Sequence, residues 1–109
     1  MHVAIRRYRL LGSGSADEVL RRITEGFIPI IKDAPGFLAY YALDGGGGTI
    51  ASISIFEHRA GAEESNRMAA DWVRENLASM LPNPPEIIEG EVGAHELNLA
   101  RLGIREVRE

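Results

Sequence analysis

The sequence predicts an α+β fold in the order β-α-β-β-α-β, a four-stranded antiparallel sheet with two helices on one face. Three observations carry that prediction. Apolar residues recur at helical spacing over two stretches, 19–31 and 62–80. Four other stretches alternate with a period of two, as half-buried strands do. The glycine run 45–48 joins the second and third of these and marks a tight hairpin, because glycine reaches positive φ at no steric cost.

The first strand, "HVAIRRYRL", puts Val3 and Ile5 on one face and Ala4, Arg6, Tyr8 and Leu10 on the other. "SADE" reads as a capping box, with Ser15 accepting from the first helical turn and Glu18 reaching back. The first helix carries Val19, Leu20, Ile23, Phe27, Ile30 and Ile31 as its apolar stripe. Pro29 lacks an N–H for the Glu25 carbonyl and is expected to kink or thin the last turn. "APGF" turns the chain into the second strand, "FLAYYALD". With the hairpin centred between Gly46 and Gly47, Tyr40 should face Ile53, Leu38 face Ile55, Tyr41 meet Ser52, Ala39 meet Ser54 and Phe37 meet Phe56. The third strand, residues 49–57, has Ala51, Ile53 and Ile55 on one side and Ile50, Ser52, Ser54 and Phe56 on the other.

The second helix is expected over residues 60–81, closed by Pro82, with Ala62, Ala69, Val73, Leu77 and Met80 buried. "IIEGEVGAH" is the fourth strand: Ile88, Val92 and Ala94 share one face, and Ile87, Glu89, Glu91 and His95 the other. The domain is expected to span residues 1–96. Leu97, Ala100, Ile104 and Val107 then recur at helical intervals in a tail, 97–109, weakened as a helix by Gly103 and expected to serve as a dimer arm.

A chain of 109 residues has room for one hydrophobic core. No apolar run approaches the roughly 18 residues of a membrane helix, and no secretory leader is read at the start. Cysteine is absent, which removes disulfides, thiolate metal sites and a cysteine nucleophile, and suits a cytoplasmic protein. A net charge of −4 gives little support to a nucleic-acid surface. "GSGS" is too short, and lacks the downstream lysine, for a phosphate loop.

This order of elements is the split βαβ, or ferredoxin-like, arrangement. The greasier faces, with Val3, Ile5, Leu38, Tyr40, Ile53, Ile55, Ile88 and Val92, are expected beneath the helices. The mixed face would then stay open, carrying Arg6, Tyr8, Phe37, Tyr41, Ile50, Ser52, Ser54, Phe56, Glu89 and Glu91. An exposed patch of that kind usually marks association. A second copy of the sheet would cover it and leave a cavity lined by hydroxyls and a few charges.

"RRY", "APGFLAYYALD", "SISIFEHRAGAEESNRMAADWV" and "GEVGAHE" together resemble the antibiotic biosynthesis monooxygenase (ABM) branch of the dimeric α/β-barrel superfamily, over residues 2–96. The resemblance implies a homodimer, small aromatic or quinone-like ligands, and oxygenation of phenolic substrates without metal, flavin or other cofactor. An electron-rich phenolate can itself reduce oxygen, so such a protein need only bind, desolvate and help deprotonate it.

On that reading Tyr8, Tyr41, Ser52 and Ser54 would hold substrate oxygens beside Phe56. Arg6 would stabilise a phenolate or oxygen-derived anion, and Glu91 or Glu89 would act as base if burial raised its pKa. The plainer alternative pairs Arg6 with Glu91 or Glu89 on a neighbouring strand, holding a dimer in register. Asn66 and Trp72 are the second helix's counterparts of the asparagine and tryptophan used by quinone-forming and haem-degrading relatives, at a spacing that does not match; an indole on a helix is more often packing. Haem degradation is disfavoured because that helix holds no histidine. His2, His58 and His95 share no short ligand spacing; a site of His2, His95 and Glu91 is conceivable, and surface histidines are the expected reading. The functional readings are therefore a cofactor-independent monooxygenase on an aromatic or quinol-type substrate, or a non-catalytic ligand-binding or stress-associated dimer. An isomerase or lyase using a carboxylate base is a third.

Overall fold

A computed structural model of the chain describes residues 1–12 and 14–103. Its elements are β1 (His2–Arg9), α1 (Ala16–Arg22), a π-helical turn (Ile23–Phe27), α2 (Ile28–Ile31), β2 (Phe37–Gly46), β3 (Thr49–Phe56), α3 (Arg59–Asn76), β4 (Glu86–Glu91) and α4 (Leu99–Leu102). The strands form one antiparallel sheet in the order β2-β3-β1-β4. This is the predicted β-α-β-β-α-β sheet, with a short helix added at the end. Ile104 and Val107 of the predicted tail lie outside the described residues.

Local chemistry accounts for most boundaries. The Ser15 hydroxyl accepts from the Glu18 N–H, as a capping residue should, but Glu18 does not reach back. Its carboxylate is held instead by Arg21 and Arg22 on the next turn. Pro29 acts earlier than expected. Without an N–H at 29 to bond the Glu25 carbonyl, the helix widens into the π-turn, and the Ile28 N–H donates to the Ile23 carbonyl. The hairpin closes over two residues, Gly47 (φ +59°) and Gly48 (φ +83°), the two positive dihedrals of a type I′ turn. The second helix ends at Asn76 rather than 81, because the chain folds into a turn that tucks Leu77, Met80 and Leu81 into the core. The fourth strand stops at Glu91, short of the predicted His95.

The core lies between the helices and one sheet face. Val19, Ile23, Phe27 and Ile31 come from the first helical segment, Ala62 and Ala69 from the second, Leu77 and Met80 from the turn after it, and Ala4, Tyr8, Ile50 and Phe56 from the sheet. Ile30, placed in the first stripe by its spacing, is half exposed, since the π-turn rotates the last helical turn.

The covered face is the opposite of the one predicted. Ser52 and Ser54 lie beneath the helices, 4 % and 0 % exposed, together with Arg6 at 0 %. The greasier parity, with Val3 and Ile5 paired to Ile55 and Ile53, is the uncovered one. The prediction assumed that the more apolar face packs on the helices; a guanidinium buried in the sheet instead draws the hydroxyls to the inside. A second correction concerns register. A bulge between Phe37 and Ala39 leaves Phe37 opposite Phe56 as expected, but shifts Tyr40 to Ser54 and Tyr41 to Ile53. From Ala39 to Asp44 every β2 side chain therefore joins the other set of β3 residues, until a second shift between Asp44 and Gly46. Tyr40 packs inward on Phe27, with ring centroids 5.4 Å apart, and Tyr41 points out, 56 % exposed.

Gly26, in the π-turn, sits under the indole of Trp72. A Cβ there would come 2.8 Å from Trp72 Cζ2. Gly26→Ala is therefore expected to push the ring aside at a cost of about 1–3 kcal/mol. Trp72 is the only tryptophan, so its emission spectrum should shift with the loss of melting temperature. An unchanged spectrum and stability would refute the contact.

Candidate functional site

Arg6 stands on β1, with β3 on one side and α3 above. Its Nε donates to Ser52 Oγ at 3.0 Å, and one terminal nitrogen to Ser54 Oγ at 2.5 Å. The other donates to Asn66 Oδ1 at 2.8 Å and Ser65 Oγ at 3.3 Å. Four neutral partners satisfy the guanidinium, and among the described residues no carboxylate pairs with it. The charge is solvated by hydroxyls and an amide but not neutralised. Burial pulls the Arg6 pKa below its ordinary value, opposed by the nearby phenols of Tyr40 and Tyr8.

The expected pairing of Arg6 with the strand-four glutamates is absent. In register Arg6 sits opposite Ile87, Glu89 opposite Ala4 and Glu91 opposite His2, so the carboxylates lie further along the strand. Glu91 is 68 % exposed, its two oxygens taken by the Met1 ammonium at 3.2 Å and His2 Nδ1 at 3.1 Å. Those partners hold its pKa below the usual carboxylate value, the wrong direction for a general base near neutrality. His2 and Glu91 do meet; His95 is exposed beyond the end of the strand.

Beside Arg6 lies a pocket lined by Tyr8, Tyr40, Ser52, Phe27, Trp72 and Leu81, with smaller aliphatic side chains. It holds about 300 Å³ of atom-free space, of which a water molecule's centre can reach only about 10 Å³, room for one water. The π-turn aims Phe27 into it, and Phe27 packs against both Tyr40 and Trp72. Ser52 links charge to pocket. Its oxygen accepts from Arg6 Nε, which leaves its own O–H free to donate toward Tyr40 or a guest. The Tyr8 hydroxyl is buried without a partner, the one such side-chain atom among the described residues.

Of the predicted site residues the structure thus gathers Arg6, Tyr8, Ser52, Ser54, Asn66 and Trp72 around one buried cation and its adjoining pocket. Phe56 packs at the far end of the covered face against Phe37, ring centroids 5.8 Å apart, and does not line the pocket. Tyr41 and Glu91 are elsewhere. Tyr40, Ser65 and Phe27 join the site without having been singled out. Ser65 had a signal, a hydroxyl one residue before Asn66 and on the buried side of α3. Tyr40 had none, because a bulge is invisible in the alternation of "FLAYYALD".

Burial raises the pKa of Tyr8 and Tyr40 above the ordinary phenol value, even though Arg6 pulls both down. The folded chain therefore keeps these protons at a pH where the unfolded chain loses them. That contribution to stability is intact below the unfolded value near 10 and is lost as pH climbs through the higher folded value. Tyr8→Phe also deletes an orphaned hydroxyl. It is expected to raise the melting temperature at pH 7, by up to about 1 kcal/mol of stability, and to flatten the decline above pH 10. A destabilised variant would show that the hydroxyl has a partner after all.

No family model and no curated protein matches the chain. Solved structures do. The protein of unknown function NE2512 from Nitrosomonas europaea aligns with TM-score 0.70 and 23% identity over 89% of this chain and 93% of that one. A monooxygenase from the gene ActVA-Orf6 of Streptomyces coelicolor, in complex with the ligand nanaomycin D, aligns with TM-score 0.68 and 20% identity over 89% and 91%. HapK from Hahella chejuensis gives 0.66 and 16% over 90% and 99%. The chain shares the α+β, ferredoxin-like fold of these proteins.

Proposed function

We propose that the chain binds a small aromatic, quinol-type molecule beside Tyr8, Tyr40 and Trp72 and oxygenates it with dioxygen, without a bound cofactor. The observation that carries this reading is the buried Arg6 cation, held by neutral groups next to an aromatic-lined pocket. At an effective dielectric of about 20, a cation about 6 Å from a phenolate stabilises it by about 3 kcal/mol, or roughly two pKa units. Arg6 would thus favour the ionised substrate, with the Ser52 hydroxyl carrying its polarisation to the substrate oxygen. The phenol's proton leaves to solvent and the phenolate gives electrons to dioxygen. One oxygen atom bonds to a ring carbon, displaces its hydrogen and becomes a quinone carbonyl; the other leaves as water with that hydrogen and one proton from solvent. The ligand-bound ActVA-Orf6 structure, a monooxygenase of the same fold, supports the class of chemistry.

The open sheet face supports a homodimer. Val3, Ile5, Ala39, Tyr41, Ala51, Ile53, Ile55 and Ile88 share that face, and Tyr41 and Ile88 are 56 % and 69 % exposed. A contiguous apolar surface of this kind is what a second copy would cover. No helix of the described residues is long and apolar enough to cross a membrane.

Oxygen uptake during aerobic incubation with hydroxynaphthacenes and hydroquinones tests the reading, with anaerobic controls. Quinone formation and oxygen consumption in step are expected. Binding without oxygen uptake across the panel would leave the second reading, a ligand-binding dimer without turnover.

A further inference from the structure

A surface groove adjoins the pocket beside Tyr8. Tyr8, Val73 and Leu81 also line this groove, whose other walls are Ala70 and Arg74 of α3, Ala78 in the turn after it and the proline-rich connector 82–85. To a water's centre the groove offers about 350 Å³ against about 10 Å³ inside, enough for the body of a small ligand. The inner pocket takes only its tip. Tyr8 lines both, with a hydroxyl that has no partner among the described residues.

We infer that one elongated molecule, a hydroxy-aryl carboxylic acid, occupies both spaces. Its oxygen-bearing tip meets the Tyr8 hydroxyl, its ring lies between α3 and the flat proline rings, and its carboxylate meets Arg74. This rests on the reading of the inner pocket as a ligand site and adds which molecules that site selects. The groove walls are otherwise aliphatic or proline, apart from Asn83, so apolar area holds the ring and Arg74 is the one charged group lining it. Arg74 spends one terminal nitrogen on Asp71 Oδ1 at 2.7 Å, and Asp71 also takes Arg67 at 3.3 Å, whose other nitrogens Glu64 holds, so the cluster is balanced in charge; the Nε and second terminal nitrogen of Arg74 have no partner among the described residues and are the donors a carboxylate would meet. Arg74 is 70 % exposed, which limits the preference it confers to a few-fold.

Trp72 lines the inner pocket and is the only tryptophan, so quenching of its emission reports occupancy there. The probes are 2-naphthol and 6-hydroxy-2-naphthoate at pH 7. The acid is expected to bind the wild-type chain about fivefold more tightly. Arg74→Gln should erase that preference and leave 2-naphthol unchanged. Ala78→Phe, at an exposed position that fills the groove, should weaken both probes about tenfold with the melting temperature unaltered. Equal affinities in the wild type and Ala78→Phe, or an acid preference that survives Arg74→Gln, would overturn the groove while leaving the inner site standing. Absence of quenching by both probes in the wild-type chain would overturn both.

Discussion

Arg6→Met is expected to cost the fold about 3–5 kcal/mol, and adding Ser52→Ala and Ser54→Ala is expected to restore at least about 2 kcal/mol of it. The guanidinium is what satisfies Ser52, Ser54 and Asn66 beneath α3. Removing it alone strands those groups in a dry layer. Ser65 loses least, because its hydroxyl still donates to the Ala62 carbonyl at 2.6 Å. Replacing donor and acceptors together leaves an apolar layer with fewer orphans, so the triple variant should be the more stable of the two. Urea midpoints of the three proteins measure this. Wild-type stability in Arg6→Met alone would show that the network does not hold the fold. The triple variant also isolates function. In the wild type the bound-state pKa of 2-naphthol should fall by roughly two units; in the folded triple variant it should not move.

Ile53→Arg is expected to convert a dimer into folded monomers, weakening association by about 4 kcal/mol, roughly a thousandfold in Kd. Ile53 lies at the middle of the uncovered face, between Ile5 on β1 and Tyr41 on β2. An arginine there meets water in the single chain and an apolar partner surface in the dimer. Because residue 53 points away from the helices, the monomer's melting transition should survive, which separates lost association from lost folding. Sedimentation velocity at tens of micromolar reads the outcome. A wild-type chain that sediments as a single copy would remove the homodimer from the proposal.

How much of this was legible beforehand varies residue by residue. The helix stripes through Val19, Phe27, Ala69 and Leu77 were legible, since one amphipathic face meeting one core leaves a period that spacing reveals. The pairing of β1 with β4 and a hairpin within the glycine run were legible for similar local reasons, but its centre was not: it falls between Gly47 and Gly48, one residue later than the spacing suggested. Tyr40 was not. One extra residue at the β2 bulge changes which β3 side chains the two adjacent tyrosines join, and only strand pairing reports it. Arg6 was recognised as important from its place on the mixed face, but its partners were misassigned to β4, because a side chain's lean toward one neighbour or the other leaves no trace in alternation.

The sequence by itself determined the elements, their order and the two-sided character of each strand, all of which follow from short-range periodicity and from the dihedral needs of glycine and proline. Which side of the sheet went under the helices was decided only by the tertiary structure. A buried cation needs hydrogen-bond acceptors from several elements at once. Ser52, Ser54, Ser65 and Asn66 reach Arg6 only when β3 and α3 close over it, and that collective satisfaction outweighed the greasier face's claim to the interior.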